Sequence, residues 1–176
     1  TGPWTVRFQA NRGAPAEVRL DELTSWTEHP DPGVRYFSGT ATNAIRFDLP
    51  EQFTEKDREV WLDLGEVAVI AEAHLNGQHL GVLWHPPFRV EVSRFLRAGT
   101  NTLEVDVSNL WINRLIGDEQ HPDDCEWTEK ALSRWPDWFV EGLPRPSASR
   151  VTFTTWKHWG KEDSLLPSGL LGPVSL

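Results

Sequence analysis

The sequence contains no methionine, a single tyrosine and a single cysteine among its 176 residues. The lone cysteine, Cys125, excludes an intramolecular disulfide and a zinc site built from several thiolates. No apolar run approaches the roughly 18 residues that a membrane-spanning helix needs, which argues against a membrane segment. Because the first residue is not methionine, we expect the chain to be an excised piece or a processed product.

Basic residues are scarce relative to acidic ones. Lys and Arg number 17 against 26 Asp and Glu, which gives a formal net charge of −9 at pH 7. Nucleic-acid binding needs Lys and Arg to neutralise phosphates, so this balance argues against nucleic acid as a partner. It argues equally against an anionic membrane surface and leaves neutral ligands open.

Tryptophan is the residue in excess, with ten in the chain. Two interpretations stay open: the indoles pack in a core or an interface, or a few of them form exposed platforms. A sugar ring has an apolar face of C–H groups that stacks on an indole, so exposed tryptophans are typical of carbohydrate sites. Packing is favoured for each tryptophan singly, and at least one exposed platform is expected in the set.

Apolar and polar residues alternate through most of the chain, which predicts β-strands. The Asn76-Gly77 pair between two such runs predicts a tight hairpin turn, because both residues tolerate positive φ. Short helical turns are predicted near residues 20–23 and 95–96. We therefore predict an all-β fold, a β-sandwich or barrel, in one domain over residues 1–176. The same-face positions of the predicted strands are Trp4, Val6 and Phe8; Phe37, Ala41, Ile45, Phe47 and Leu49; Val60, Leu62 and Leu64; Val67, Val69, Ala71, Ala73 and Leu75; Phe88, Val90 and Val92; Leu103, Val105 and Val107; Val151, Phe153 and Thr155; and a closing strand is predicted at residues 170–176.

Residues 109–150 break this alternation. The stretch is rich in tryptophan, proline and acidic residues and shows neither a strand period nor a sustained helical one. A long irregular loop insertion in a compact sheet domain is either functional, as a site or an interface, or a packed cover over one sheet face. The sequence leaves these alternatives open.

Short turn motifs lie between the predicted strands. The chain has Ala73-His74-Leu75-Asn76-Gly77, Leu80-Gly81, Pro87-Phe88 and Gly99-Thr100-Asn101 in this order. These motifs resemble the sugar-binding jelly-roll domain of glycoside hydrolase family 2, with Ala73 in place of the family's valine. The resemblance implies a galactose-binding-like jelly roll.

Further segments extend over nearly the whole chain, at residues 2–4, 25–26, 36–42, 109–119, 152–158 and 168–174. They resemble the C-terminal part of large α-L-rhamnosidase-like enzymes of the family 106 type, where the module follows a catalytic domain. The resemblance implies an accessory domain of a carbohydrate-degrading parent that is periplasmic or secreted in a bacterium. Asn43 stands where a tyrosine is expected, and we expect this departure to alter a local surface contact.

Side chains suited to catalysis are not grouped along the sequence. Glycoside hydrolysis needs two carboxyl groups at a set separation, whereas the neighbours Asp118 and Glu119 point in different directions in an extended loop. A salt bridge from Arg114 to one of them is favoured. Cys125 lies among acids that raise the pKa of its thiol, the wrong direction for a nucleophile. We expect no catalytic residue in this chain, and hydrolysis by the chain alone is the least favoured alternative.

Metal ligands are equally weakly indicated. The six histidines lack a spacing such as H-E-x-x-H, and His74 and His79 are interpreted as solvated side chains beside the hairpin turn. No cofactor and no metal site are therefore expected. One structural calcium ion is the alternative, with Asp123, Asp124 and Glu126 as its candidate ligands.

Loop tryptophans with polar neighbours form the predicted carbohydrate site, because sugar hydroxyls both donate and accept hydrogen bonds. We expect Trp156 to be an exposed platform and Trp111 to be a buried anchor of the 109–150 stretch. The expected ligand is a neutral or weakly charged glycan. The alternative is a structural domain that docks on a catalytic domain of the same polypeptide and binds no sugar. The predicted site residues are Trp84, Trp111, Asn113, Arg114, Asp118, Trp156, Lys157 and His158.

Overall fold

A computed structural model describes residues 2–54 and 58–176. These residues form twelve β-strands and three short α-helices, which confirms the all-β class. None of these helices has the length and apolarity needed to cross a membrane. The elements are β1 Trp4–Phe8, β2 Glu17–Leu20, α1 Pro32–Arg35, β3 Thr40–Leu49, β4 Trp61–Asp63, β5 Glu66–Ala68, β6 Ile70–Leu75, β7 Gln78–Leu83, β8 Arg89–Glu91, β9 Gly99–Ser108, α2 Ile112–Asp118, β10 Trp127–Thr128, β11 Ala131–Leu132, α3 Asp137–Val140 and β12 Gly169–Gly172.

Two layers of strands enclose the core. One layer is a six-stranded antiparallel sheet in the order β2-β1-β3-β9-β6-β7. The other is built from the pairs β4–β8 and β5–β12. Two isolated bridges, Asp63 to Ser175 and Gly65 to Gly172, connect these pairs. Buried side chains of both layers, such as Val105 and Leu64, belong to one hydrophobic cluster. This arrangement is the predicted β-sandwich.

The predicted alternation sets which side chains enter this core. Alternate residues of β3 and β9, such as Ala41 and Val105, are buried, and the residues between them face the outer side of the sheet. Asn43 also points inward and is fully buried, with its Nδ2 donating to the carbonyl of Val105 at 3.1 Å. The expected change in a surface contact at this position is therefore wrong, since the side chain lies in the core.

The hairpin between β6 and β7 has the predicted turn at Asn76 and Gly77, with φ of 53° and 78°. The Asn76 side chain also links this turn to the start of β9. Its Nδ2 donates to Oδ1 of Asn101 at 2.8 Å, and its Oδ1 accepts from the amide of Thr102 at 3.0 Å. The turn is thereby held against a neighbouring strand as well as by its own backbone.

Of the two predicted helical turns, the structure has one. A single turn of 3-10 helix covers Ser93–Phe95, next to the predicted position. The turn expected near residues 20–23 is wrong, because Leu20 ends strand β2 and pairs with Trp4 of β1. Backbone pairing with β1 outweighs the weak local preference for a helical turn there.

The stretch after β9 differs from the prediction at both ends. It begins with helix α2, whose buried residues include Asn113, Arg114 and Asp118. It also continues to the start of β12 at Gly169, because the strand predicted at Val151, Phe153 and Thr155 is absent from this described segment. We call residues 109–168 the excursion.

The missing strand has a direct cause. The backbone amides of Val151 and Thr152 donate to the carboxylate of Asp118, at 3.0 Å and 2.6 Å to Oδ2, instead of to a neighbouring strand. A buried carboxylate with these donors satisfies backbone groups that a sheet ladder would otherwise pair. The apolar alternation at these positions therefore reflects packing of an irregular segment.

Candidate functional site

The predicted site residues fall into a buried group and an exposed group. Asn113, Arg114 and Asp118 are almost fully buried on helix α2. Trp84, Trp111 and Trp156 are exposed, at 68%, 42% and 46% of their surface. The structure therefore does not bring the eight residues into one site.

Asp118 is the centre of the buried group. Besides the amides of Val151 and Thr152, its Oδ2 accepts from Oγ1 of Thr152 at 2.6 Å. Its Oδ1 lies 3.0 Å from Nε of Arg114, one helical turn earlier, which confirms the predicted salt bridge. The Nε–H is not well aligned with the carboxylate, so the contact is an ion pair rather than a directed hydrogen bond. Burial of the guanidinium lowers the pKa of Arg114, and the charge of Asp118 opposes this effect.

Asn113 connects helix α2 to the end of the excursion. Its Nδ2 donates to the carbonyl of Leu166 at 2.8 Å, and its Oδ1 accepts from the Leu166 amide at 2.9 Å. Both ends of the amide side chain are used in this backbone contact. Asn113 and Asp118 thus hold the excursion in place and have no free group for a sugar.

Lys157 belongs to a network of ion pairs on the other side of the excursion. Its Nζ lies 3.2 Å from Oε2 of Glu119 and 2.8 Å from Oδ2 of Asp123. Arg150 also pairs with Glu119, and its Nη1 donates to the carbonyl of His121 at 2.9 Å. Lys157 is therefore committed to this network.

The candidate calcium ligands are paired in the same way. Asp123 is held by Lys157, Asp124 by Arg145 at 2.5 Å, and Glu126 by Arg134 at 3.1 Å. Burial opposes ionisation of Asp124, but the hydrogen bond and charge of Arg145 outweigh it and lower the pKa of the carboxyl. A calcium ion at these three positions would have to displace the paired Lys and Arg side chains, which disfavours the alternative of a calcium site there.

Cys125 has no feature of a nucleophile. Burial, followed by the neighbouring carboxylate of Asp124, raises the pKa of the Cys125 thiol to about 11. A thiol with such a pKa carries little thiolate near neutral pH. The expected direction of the shift is confirmed.

Trp111 is not the buried anchor that we expected. It directly precedes helix α2 with 42% of its surface exposed, and its ring packs under the guanidinium of Arg12 at 4.7 Å. The anchoring contacts are polar and come from Asn113, Arg114 and Asp118 on the same helix. Position in the sequence suggested an anchor at the start of the excursion, but the buried contacts begin two residues later.

Trp156, Lys157 and His158 do lie together. They line a pocket with Asp118 and Trp127 whose free volume of ≈ 30 Å³ is about that of one water molecule. Trp84 lies outside it, on the loop between β7 and β8, with the His85 ring 4.5 Å away and perpendicular to it. The expected exposure of Trp156 is confirmed, whereas a ring-sized sugar pocket is not present at these residues.

A larger cleft lies on the other side of helix α2. Its volume is ≈ 640 Å³, within the range of small-molecule sites, and its lining includes Tyr36, Arg114, Gln120, His121 and Arg150. The guanidinium of Arg114 lies 6.0 Å from the Tyr36 ring centre. Of the predicted site residues, Arg114 alone lines this cleft. Sequence reasoning missed the cleft because its walls come from distant segments.

The excursion also carries a group of exposed apolar side chains around helix α3. We call Trp135, Phe139, Val140 and Leu143 the aromatic face; their exposed fractions are 52%, 49%, 67% and 52%. The rings of Trp135 and Phe139 stack at 5.3 Å, and Phe139 stacks on Phe153 at 4.8 Å beneath it. The run from Trp135 to Leu143 signals this face in the sequence, because its apolar residues are dense but follow no strand period.

Comparison with known proteins agrees with this architecture. Residues 33–156 match the family described as glycosyl hydrolase 2 galactose-binding domain-like. A protein of Formosa agariphila that is provisionally named a β-glucuronidase is 47% identical over 99% of this chain and 15% of its own length. The rhamnosidase from Novosphingobium sp. PP1Y is 38% identical, with a TM-score of 0.79 over 98% of this chain and 14% of its own.

A more distant structure shares the fold alone. The β-D-glucuronidase of Dictyoglomus thermophilum is 24% identical and covers 61% of this chain and 18% of its own, with a TM-score of 0.53. The predicted resemblance to a rhamnosidase module and to family 2 domains is confirmed. Because the family match covers most of the chain, the chain belongs to the galactose-binding-like domains of glycosyl hydrolase 2.

Proposed function

We propose that this chain is a non-catalytic accessory domain of a glycoside hydrolase and that its aromatic face docks on another domain of the same polypeptide. The chain spans only 15% of the Formosa protein and 14% of the rhamnosidase, so most of each relative is additional structure that a domain can contact. The observation that carries the proposal is the cluster of half-exposed rings at Trp135 and Phe139.

The two neighbouring acids at the end of helix α2, Asp118 and Glu119, are both occupied by contacts within the domain. Asp118 is buried, and its carboxylate already accepts hydrogen bonds from the amides of Val151 and Thr152. Glu119 is paired with Arg150 and Lys157. An acid–base residue must come within hydrogen-bond reach of the reacting atom, and neither carboxylate is free to do so.

The energy available to the aromatic face supports docking. Burying an aromatic side chain removes about 150–250 Å² from water, so a half-exposed ring still leaves roughly 100 Å². At about 25 cal/mol per Å², complete burial of Trp135 or Phe139 would contribute roughly 2–3 kcal/mol each. Contiguous apolar surface of this kind marks interaction sites on soluble proteins.

The face is also held rigidly enough to serve as an interface. Phe139 and Trp138 pack on Phe153, and the amide of Leu143 donates to the carbonyl of Trp138 at 2.8 Å. Arg145, a short distance further along, is fixed by Asp124. Docking of a preorganised surface loses less conformational entropy than docking of a mobile loop.

The test uses the full-length parent polypeptide and the double variant Trp135→Ser with Phe139→Ser. Loss of docking should separate the thermal unfolding of this domain from that of the remaining domains and make the excursion more sensitive to protease. Trp84→Ser, which removes a still more exposed tryptophan outside the aromatic face, should change neither result.

Two outcomes would contradict docking on another domain. One is identical unfolding and proteolysis in the double variant and the parent. The other is a chain that dimerises alone in analytical ultracentrifugation and becomes monomeric on the same substitutions, which would assign the face to a second copy. Hydrolysis of aryl-rhamnoside or aryl-galactoside substrates by the chain alone would contradict the non-catalytic assignment.

Glycan binding is the second candidate function, and the cleft beside helix α2 favours it. A volume of ≈ 640 Å³ accommodates a sugar, and Tyr36, Gln120 and His121 offer an aromatic ring and polar groups. The exposed platforms Trp84 and Trp156 offer a second mode, by stacking alone.

Calorimetric titration of the chain with rhamnose, galactose, xylan, pectic and cellulosic glycans tests this candidate. Binding in the cleft should be lost in Tyr36→Ala and kept in Trp156→Ala and Trp84→Ala, whereas stacking should show the reverse. Affinity between about millimolar and micromolar is expected for a single shallow site. No heat with any glycan would exclude the candidate and leave docking as the function.

A further inference from the structure

The tight turn at Asn76 and Gly77 brings two histidines together. In a hairpin with a two-residue loop, the residues next to the closing pair lie directly opposite each other. Leu75 pairs with Gln78, and His74 pairs with His79. Because Leu75 points into the core, both imidazoles stand on the outer face of the six-stranded sheet.

Glu72 lies two residues before His74 on β6, so its side chain is on the same face of the sheet. Its Oε1 lies 3.1 Å from Nε2 of His79 and 4.0 Å from Nε2 of His74. The two imidazole centres are 5.1 Å apart. Each of the three residues offers one ligand atom, and these atoms lie within 4.8 Å of one another, so one ion could contact all three.

The separations approach those of a zinc site. Zinc–ligand distances of about 2.0–2.2 Å in a tetrahedron place neighbouring ligand atoms roughly 3.3 Å apart. The contact between Glu72 and His79 already has this length. Glu72 and His74 are 4.0 Å apart, and the three ligand atoms lie within 4.8 Å of one another, so closing the site needs shifts of up to about 1.5 Å. Side-chain rotation can supply them because Glu72, His74 and His79 are 45%, 30% and 53% exposed.

The surroundings of the cluster favour a cation. Across β9, Asp106 lies opposite Glu72 and Glu104 lies opposite His74. Arg7 pairs with Glu104 at 2.6 Å and neutralises one of these two acids. The carboxylate of Asp106, the other acid, accepts a hydrogen bond from the hydroxyl of Thr42. Neighbouring carboxylates attract a divalent ion and can orient ligating imidazoles through hydrogen bonds.

We propose that Glu72, His74 and His79 bind a divalent first-row metal ion, Zn²⁺ foremost, on the outer face of the sheet. Two imidazoles and one carboxylate, with water in the fourth position, are a ligand set that suits Zn²⁺. Ni²⁺ and Cu²⁺ also bind to imidazole and carboxylate ligands. Among residues 2–54 and 58–176, no second group of three such side chains comes as close together. The ion would fasten strand β7, the edge of the sheet, to β6.

The earlier interpretation of His74 and His79 as merely solvated side chains overlooked Glu72. A single hydrogen bond between Glu72 and His79 without any metal is the competing explanation of the same geometry. The two explanations differ in whether His74 contributes, because the competing hydrogen bond does not involve this residue.

The experiment is a calorimetric titration of ZnCl₂ into the tag-free, chelator-treated chain. One Zn²⁺ per chain should bind, and the unfolding temperature should rise with the zinc concentration. His74→Gln, His79→Gln and Glu72→Gln should each weaken binding by about tenfold or more, since even outer partners of a zinc ligand are worth about that much. His121→Gln, which removes an imidazole elsewhere, should bind as the parent does.

Circular dichroism should show all four variants to be folded, as expected for positions that are partly or fully exposed. No binding at about 1 mM Zn²⁺ would overturn the proposal, and so would unchanged affinity in the His74→Gln variant. With Co²⁺ as the probe, the visible absorption of a four-coordinate ion should appear in the parent and vanish in His79→Gln. Absence of this signal despite one bound ion would equally count against the assigned ligand set.

Discussion

Replacing the Asp118 carboxylate by an amide should destabilise the domain more than any other conservative change of a polar group in the excursion. The carboxylate is 2% exposed, pairs with Arg114 and accepts from two backbone amides and one hydroxyl. In Asp118→Asn the shape is kept, but Arg114 becomes a buried charge without a partner. The NH2 group of the new side chain must also face either Arg114 or the amides of Val151 and Thr152, all of which are donors.

The magnitude follows from the burial of the pair. Breaking a buried ion pair by removing one partner costs about 3–5 kcal/mol, because the remaining charge is left uncompensated. For a domain of this size each kcal/mol corresponds to about 2–4 °C, so the midpoint should fall by roughly 6–20 °C. Arg114→Met in the Asp118→Asn background removes the stranded charge and should regain part of the loss.

Urea unfolding followed by tryptophan fluorescence measures the change directly. Asp137→Asn makes the same substitution in an exposed pair with Arg134 and should leave the transition unchanged. A loss of under about 1 kcal/mol in Asp118→Asn would refute the reasoning, since surface substitutions commonly cost no more than this. It would mean that solvent reaches Arg114 and that the excursion is held by other contacts.

Four further outcomes are expected. Iodoacetamide should alkylate Cys125 at pH 8 about tenfold more slowly in the folded chain than in urea. The raised pKa leaves about a hundredfold less thiolate in the folded chain, and the higher nucleophilicity of that thiolate offsets only part of the loss. The folded pKa of Asp124 lies below its ordinary 3.8, so its pairing with Arg145 stabilises the fold above that pH and is lost as the pH falls; acid unfolding should be less steep in Asp124→Asn. Trp111→Ala should cost only about 1 kcal/mol in urea unfolding, and a loss of 3 kcal/mol would restore the buried-anchor interpretation. Gly77→Ala should also cost about 1–2 kcal/mol in the same assay from its φ of 78° alone, because a Cβ there meets no neighbour.

The strands could be predicted because their inward residues are apolar and regularly spaced. Val6 and Val105, for example, lie on strands whose buried and exposed positions alternate as the sequence indicates. The Asn76-Gly77 turn was likewise predictable, since only a few residue pairs tolerate positive φ at both positions. These features depend on neighbours that are close in sequence.

Helix α2 could not be predicted for the opposite reason. Most of its buried residues are polar, and the partners of Asn113 and Asp118 lie 53 and 33 residues away. No local period marks a helix of seven residues that buries charged groups against distant backbone. The same limitation explains why the sequence places Asp118 in an extended loop and why Val151 resembled a strand residue.

The link between Asn76 and Asn101 has a consequence for the chemical ageing of the domain. An asparagine followed by glycine is the pair most prone to deamidation, in which the next backbone nitrogen attacks the side-chain amide. Here that amide donates to the carbonyl of Phe95 at 2.9 Å and to Asn101, and it accepts from Thr102, so it is held from both ends. Conversion to aspartate would replace both donated hydrogen bonds by repulsion between oxygens. Slow deamidation at this one position would therefore loosen the β6–β7 hairpin from β9, and its rate should follow the local opening of the hairpin rather than the intrinsic rate of the Asn-Gly pair.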